Sequence, residues 1–210
     1  MKIGIVGSGN IGGNAARLFV SAGHEVALSN SRGGNGLHEL AAELGANARA
    51  TTIEDAARFG DVVLIAIPFG KIKALPAEAF RGKVVIDAGN YYPERDGNVA
   101  ELDKDVTTSS ELLASHLKGA RLVKGFNTIW FKHLATQGDT NLPREERRAI
   151  FIAGDDPQAK KTVAKLIEEI GFAAIDTGDL HEGGRHQQPG TAVYNKELNA
   201  SEAAEVLAAV

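Results

Sequence analysis

Apolar residues along this chain follow two alternating patterns. Short runs, rich in Val and Ile, are separated by stretches in which apolar positions recur at i, i+3, i+4 and i+7. The runs Ile3–Val6, Val26–Leu28, Asp61–Ile67, Lys83–Asp87, Arg121–Asn127, Ala149–Ala153 and Phe172–Thr177 read as strands, with Ala48–Thr52 as a further short one. Helical spacing is found over Asn10–Ala22, which stops at Gly23, and over Leu37–Leu44, which stops at Gly45. Thr52-x-x-Asp55 can cap a brief helix through Phe59. Lys71–Phe80 is helical but interrupted by Pro76. Ser109–Leu117 forms the next helix, with Ser109 or Ser110 as its cap. Asp155-Asp156-Pro157 opens a strong helix with a core face of Val163, Leu166, Ile167 and Ile170. Ser201–Val210 is a short apolar helix that must pack on the body or on a partner chain.

Strands and helices alternate for most of the chain, with no repeat, low-complexity tract or linker. This predicts an α/β protein: a Rossmann, doubly wound, mostly parallel sheet with helices on both faces and a short C-terminal loop-plus-helix segment. Residues 1–180 are expected to form the dinucleotide-binding domain. The texture changes at the polar, glycine-rich stretch Gly178–Gly190, so residues 181–210 are expected to form a loop and helix that act as a lid or a dimer contact. Glu94–Thr108 is polar and acidic, and reads as an excursion over the surface.

Composition narrows the function. The net charge of −4 offers no basic field for nucleic acid or an anionic membrane. The absence of cysteine excludes disulfides, thiolate metal sites and cysteine nucleophiles. No apolar run is long enough to span a bilayer, and the N-terminus is already strand and turn; the cytoplasm is the expected compartment. His181, Glu182 and His186 match no named metal-ligand spacing, so no metal is expected.

The strand Ile3–Val6 runs directly into Gly7-x-Gly9-x-x-Gly12 and then into a helix. In a dinucleotide-binding turn the first glycine allows the tight turn. The second lets the backbone approach a pyrophosphate, and the third lets helix and strand pack closely. Such units usually place an acid about 20 residues later, on the ribose hydroxyls. Here that position reads Ser29-Asn30-Ser31-Arg32, with no acid between Val26 and Leu37. An arginine fork and a hydroxyl suit a 2′-phosphate, which predicts NADP(H) rather than NAD(H). Gly33-Gly34-Asn35-Gly36 is flexible enough to wrap an adenosine end.

Other candidate residues sit at strand ends, where ligands bind such sheets. Ile67, Pro68 and Phe69 follow one strand, though Phe69 is as readily a packing residue. Asn90 follows another; Tyr91 and Tyr92 beside it either flank a planar ring or lie on the surface. Asn127 and Thr128 follow a third and are candidates for the acceptor side, with the only tryptophan, Trp130, close by. His133 reads as packing or a surface cap before it reads as a catalytic acid, and no acid–base constellation is evident.

The stretches at Gly7–Gly12, Ser29–Arg32, Ile67–Phe69, Asp87–Tyr91 and Gly125–Ile129 together resemble the deazaflavin-dependent NADP oxidoreductases, the coenzyme F420:NADP reductase family. The resemblance covers about residues 1–180. It implies direct hydride transfer between NADP(H) and a deazaflavin stacked on the nicotinamide, with binding and orientation doing more than acid–base chemistry. It places Ser8, Asn10 and Ile11 at the pyrophosphate turn and Ser31 and Arg32 on the 2′-phosphate. Ile67, Pro68 and Asn90 would border the cofactor cleft, with Asn127 and Thr128 at the hydride acceptor. Family members are usually dimeric, so a homodimer is expected. Two departures fall on the acceptor side: Asn127-Thr128-Ile129-Trp130 stands where archaeal members tend to have His-Thr-Ile-Pro, and Gly183–Pro189 replaces an apolar helix. A flavin, quinone, ferric chelate or imine therefore stands beside the deazaflavin as a candidate acceptor, and a non-catalytic NADP(H)-sensing module is the alternative from another class.

Overall fold

The computed structural model describes residues 1–31 and 35–209. Eight strands form one sheet: β1 (Lys2–Val6), β2 (Glu25–Ser29), β3 (Ala48–Ala50), β4 (Val62–Ile65), β5 (Val84–Asp87), β6 (Arg121–Gly125), β7 (Ala149–Ala153) and β8 (Ala173–Asp176). Their spatial order is β3-β2-β1-β4-β5-β6-β7-β8. All neighbours are parallel except β6 and β7, which run antiparallel through Lys124↔Ala153 and Gly125↔Ile152. This is the Rossmann order with a final pair of strands added beyond β6.

The strand period of two explains why both faces are covered. Ile3, Ile5, Val62, Leu64, Val84, Ile86 and Val123 point to one face. There they meet α1 (Asn10–Ser21), α2 (Asn35–Leu44), α7 (Phe131–Thr136) and α8 (Pro157–Glu169). Val6, Val63, Ile65, Val85 and Leu122 point to the other. They meet α3 (Ile53–Phe59), two 3-10 turns at Phe69–Ala74 and Ala77–Phe80, α5 (Ala100–Asp103) and α6 (Ser109–His116). Two further helices are short, α4 (Pro93–Asp96) and α9 (Glu182–Arg185), and α10 (Ala200–Ala208) ends the described chain.

Several local expectations need correction. The stretch Lys71–Phe80 forms two 3-10 turns and no α-helix, because Pro76 cannot donate a backbone N–H. The cap of α6 is Thr108, in a reciprocal capping box with Glu111, and neither Ser109 nor Ser110. Ser110 instead donates to Asp87 (2.8 Å). Strand β6 stops at Gly125, since Phe126 adopts φ 65 and cannot continue it. Glu94–Thr108 is more than a surface excursion: it holds α5, whose Leu102 is buried in the core. The C-terminal helix, capped by Asn199 with Glu202, packs on the body, where Ala203 joins Ala149, Phe151 and Val193.

At the centre of the sheet, β1 lies between β2 and β4, so the chain leaves β1 and β4 in opposite directions and opens a crevice at their carboxyl ends. The exit is fixed by Gly7 N–H donating to Ser29 O (2.8 Å) and Ala66 N–H donating to Val6 O (2.8 Å). A Cβ at Gly12 would lie 1.8 Å from the Gly7 carbonyl oxygen, whereas a Cβ at Gly9 would meet nothing within 4 Å. Gly12→Ala should therefore destabilise the protein by about 1–3 kcal/mol or more through overpacking. Gly9→Ala should stay within about 1 kcal/mol of wild type. Denaturant unfolding of the two variants checks this; equal losses would show that the helix does not rest on the strand exit.

Candidate active site

The crevice begins at the N-terminus of α1. Gly7 has φ 105, a conformation that admits only glycine comfortably, and a Cβ there would press on Ala66 O at 2.3 Å. The chain then turns through Ser8 and exposed Gly9 into the helix. Gly9 is the N-cap and supplies no side-chain acceptor, and the first turn carries no acid. The N–H groups at this terminus are thus left for an external acceptor, with the positive end of the helix dipole behind them. The space in front of Gly9, the close seating of Gly12 and the uncapped terminus fit a dinucleotide pyrophosphate. Asn10 is exposed and Ile11 half-buried at the same place.

The end of β2 meets this turn directly. Asn30 Nδ2 donates to Ser8 Oγ (2.8 Å), which joins two sequence-predicted positions. Ser29 is buried and donates to Ile5 O (2.9 Å), so it braces the strands, while Ser31 is exposed. Arg32, Gly33 and Gly34 lie outside the described residues. A cavity of about 850 Å³ opens beside the turn, lined among others by Ser8, Asn10, Asn14, Glu39 and Lys132. Asn14 and Lys132 escaped the sequence reading; Asn14 Nδ2 donates to Phe131 O (2.8 Å) and ties α1 to α7.

The strand ends farther along the sheet behave unequally. Ile67 is half-buried and Pro68 exposed, directly after β4. Phe69 packs in the core and meets Tyr91 edge-on at 5.4 Å. Tyr91 is half-buried and held through its hydroxyl. Its hydroxyl bonds Gly97 O (3.1 Å) and Asp103 (2.7 Å) and accepts from Val99 N–H (2.9 Å), so it fastens the α4–α5 segment. Tyr92 shares a hydroxyl–hydroxyl hydrogen bond with Tyr194. Burial, followed by that bond, pushes the Tyr194 phenol up from its ordinary range.

Asn90 and Asn127 form a reciprocal pair. Asn90 Nδ2 donates to Asn127 O (2.9 Å), and Asn127 Nδ2 donates to Asn90 Oδ1 (3.1 Å) and to Gln187 O (2.8 Å). Gln187 is fully buried. In the amide orientation that satisfies both its ends, its nitrogen donates to Asn127 Oδ1 (2.9 Å) and its oxygen accepts from Ala153 N–H (3.2 Å). Asn127 is only 5% exposed and Thr128 2%. The expectation that Asn127 faces an acceptor is therefore corrected: its amide is engaged on every side, and it braces the Asn90 loop against the C-terminal segment. The Thr128 carbonyl accepts from Asn195 N–H (2.9 Å) on that same segment.

Below Asn90 lies a group that the sequence reading passed over. Lys124, on β6, is 1% exposed and donates to Gly89 O (3.2 Å) and Ser110 Oγ (3.0 Å), with Asp87 Oδ2 at 4.0 Å. Burial pushes its ammonium down from the usual lysine range, partly offset by the Asp87 charge. The available signal was a lysine interrupting an otherwise apolar strand run. His181, by contrast, pairs with Glu111 (3.0 Å) on α6, and His133 stacks edge-on with Trp130 at 5.1 Å. Because Asn127 bonds both Asn90 and Gln187, Asn127→Ala should lower stability by about 1–3 kcal/mol, the loss for unsatisfied buried polar partners. Thermal and chemical unfolding measure it, and an unchanged midpoint would contradict the bracing role.

Comparison with known proteins agrees with this architecture. Residues 2–91 match the family model described as NADP oxidoreductase, coenzyme F420-dependent. A coenzyme F420-dependent NADP reductase of Methanocaldococcus jannaschii is 32% identical over 146 residues, covering 61% of this chain and 58% of that protein. The metalloreductase STEAP3 of Rattus norvegicus is 28% identical over 184 residues, 85% of this chain but 34% of that protein, so the chain spans about a third of that relative's length. A hypothetical protein, SMa0349 of Sinorhizobium meliloti, has a solved structure that superposes with a TM-score of 0.83 at 30% identity over 95% of both chains. The glycine turn and the strands on either side of it lie in the part of the chain that is similar to the NADP oxidoreductases described as coenzyme F420-dependent.

Proposed function

We propose that this chain is an NADP(H)-dependent oxidoreductase that passes a hydride between the nicotinamide and a planar acceptor, a deazaflavin or flavin-like molecule. The observation that carries the reading is the uncapped, acid-free N-terminus of α1 beside the Asn30–Ser8 contact, at the point where β1 and β4 diverge. Gly7, Ser8, Gly9, Asn10, Ile11 and Gly12 hold the pyrophosphate in this reading. Asn30, Ser31 and Arg32 hold the ribose and its 2′-phosphate. Ile67, Pro68, Phe69 and Asn90 border the rest of the cofactor, Asn90 being fixed there by Asn127. Reduced nicotinamide supplies the hydride when bound. The chain itself orients the two reactants and excludes water.

Residues 1–180 form the cofactor unit in this proposal, and 181–210 cover its acceptor side. Three contacts support a cover: Gln187 with Asn127, Asn195 with Thr128, and Tyr194 with Tyr92. A second reading, reduction of a ferric chelate, is favoured by the likeness to the rat metalloreductase over 85% of this chain. Oxidised coenzyme F420, FMN, menadione and ferric citrate, each mixed with protein and NADPH, separate the two. Bleaching of the deazaflavin or flavin supports the first reading; turnover of the iron chelate alone supports the second.

Cofactor choice is tested separately. Arg32→Ala should weaken NADPH binding by about 1.5–3 kcal/mol, the range for a charge-assisted hydrogen bond, and leave NADH binding nearly unchanged. Fluorescence titration with both nucleotides reads this, and equal losses would assign Arg32 a structural role.

A further inference from the structure

We infer that the cavity beneath the Asn90–Glu94 loop receives the hydride acceptor, and that Lys124 binds and protonates the conjugated carbonyl oxygen of that acceptor. The inference rests on the oxidoreductase reading above and adds the acceptor's place, its chemical class and the group that meets it.

The cavity holds about 370 Å³ and is bounded by the loop, α5, the start of α6 and the turn at Gln188-Pro189. Lys124 and Ser109 line it from below. Asn90 lines it too, and Asn90 is the residue assigned above to the border of the cofactor, so in that reading the acceptor and the cofactor meet there. Contact between the reactants is what direct hydride transfer requires. Tyr92, which lines the cavity, bonds Tyr194 of the C-terminal segment, and Gln188 and Pro189 of that segment line it as well.

Asp87 at 4.0 Å balances part of the Lys124 charge, but the neighbours do not complete its hydrogen bonding. An ammonium has three donors. Two go to Gly89 O and Ser110 Oγ, and Asp87 Oδ2 at 4.0 Å is beyond hydrogen-bond distance. One N–H is thus left without a hydrogen-bond acceptor among the described residues. Asp87 is satisfied without the lysine: its Oδ1 accepts from Gly89 N–H (2.9 Å) and its Oδ2 from Ser110 (2.8 Å). A buried cation with a spare donor, on the floor of a cavity, is a receiver for a partly negative oxygen.

Deazaflavins, flavins and quinones all carry a carbonyl conjugated to the atom that takes the hydride. Hydride addition to that atom moves an electron pair onto the carbonyl oxygen. One Lys124 N–H proton passes to the oxygen, neutral amine remains, and a solvent proton restores the ammonium. The nicotinamide loses a hydride, which is two electrons and one proton, and the acceptor gains that hydride together with the proton from Lys124. Burial, which lowers the proton affinity of Lys124, favours that transfer. The other titratable groups around the cavity are Asp87 on β5, Tyr91, Tyr92 and Glu94 on the loop and α4, and Asp103 on α5. Burial and the bond to Asp103 push the Tyr91 phenol up while burial pushes Lys124 down, so the inference assigns the alkaline limb to Lys124.

The test uses the full chain with NADPH and with oxidised coenzyme F420, FMN or menadione. Wild-type kcat/KM should fall as pH rises through the lowered lysine pKa. Lys124→Met should lose about 100-fold or more in kcat/KM. It should also lose affinity for the oxidised acceptor, measured without turnover in the presence of NADP+, while binding of NADPH, read by fluorescence, stays within about twofold. Lys124→Arg should restore acceptor binding and move the alkaline limb upward, which a merely structural lysine would not do. Should Lys124→Met fail to fold, an unmoved alkaline limb in Lys124→Arg overturns the inference. Unchanged acceptor affinity and pH profile in Lys124→Met overturn it while leaving the cofactor reading intact. Turnover of ferric citrate with none of the three carbonyl acceptors also overturns it, and failure of wild type to bind NADPH removes both readings.

Discussion

The carboxyl edge of the sheet depends on how closely α1 approaches the exit of β1. Only hydrogen fits between Gly12 and the Gly7 carbonyl, where a Cβ would lie 1.8 Å from the oxygen. That contact fixes the helix axis against the strand and aims its free N–H groups at the crevice. It also leaves Gly9 facing open space. A larger residue at Gly12 would push the helix outward and move the donors away from any pyrophosphate. The helix dipole and the unpaired N–H groups act only over short range, so their use depends on this spacing.

From that contact the site extends sideways by hydrogen bonds rather than by further helix termini. Asn30 reaches Ser8 from β2. Asn90 and Asn127 lock the ends of β5 and β6 together, and Gln187 fixes Asn127 from the C-terminal segment. Buried amides suit this work, since each offers donor and acceptor at once. Lys124 stands apart in the same region. It carries a charge beside the buried Asp87 carboxylate, and its hydrogen bonds to Gly89 and Ser110 use two of its three donors.

The last third of the chain is where local reading and tertiary packing diverge. The glycine-rich polar stretch after Gly178 looks like a loop, yet Gly183, Gly184 and Gln187 are buried in the body. A Cβ at Gly183 would meet Thr177 O at 2.6 Å, so the glycines are there for close approach. Leu180 enters one core cluster and Val193 another. The short helix α10 lacks the length for independent stability and gains it from Ala149, Phe151 and Val193.

The alternation of runs and periodic stretches determined the fold, because each strand buried on both faces needs continuous apolar sequence and each helix one apolar stripe. The glycine turn and the acid-free end of β2 were equally legible, since backbone clearance and charge are written in single residues. Strand ends were legible as places but not as roles. Whether Tyr91, Asn127 or Lys124 meets solvent, ligand or another side chain is set by residues distant in sequence. Asn127 meets Asn90 and Gln187, which lie 37 and 60 positions away. Only the folded chain brings those partners within hydrogen-bond distance. It alone decided that the asparagine is a brace and that the lysine of the strand leading to it hydrogen-bonds Gly89 and Ser110.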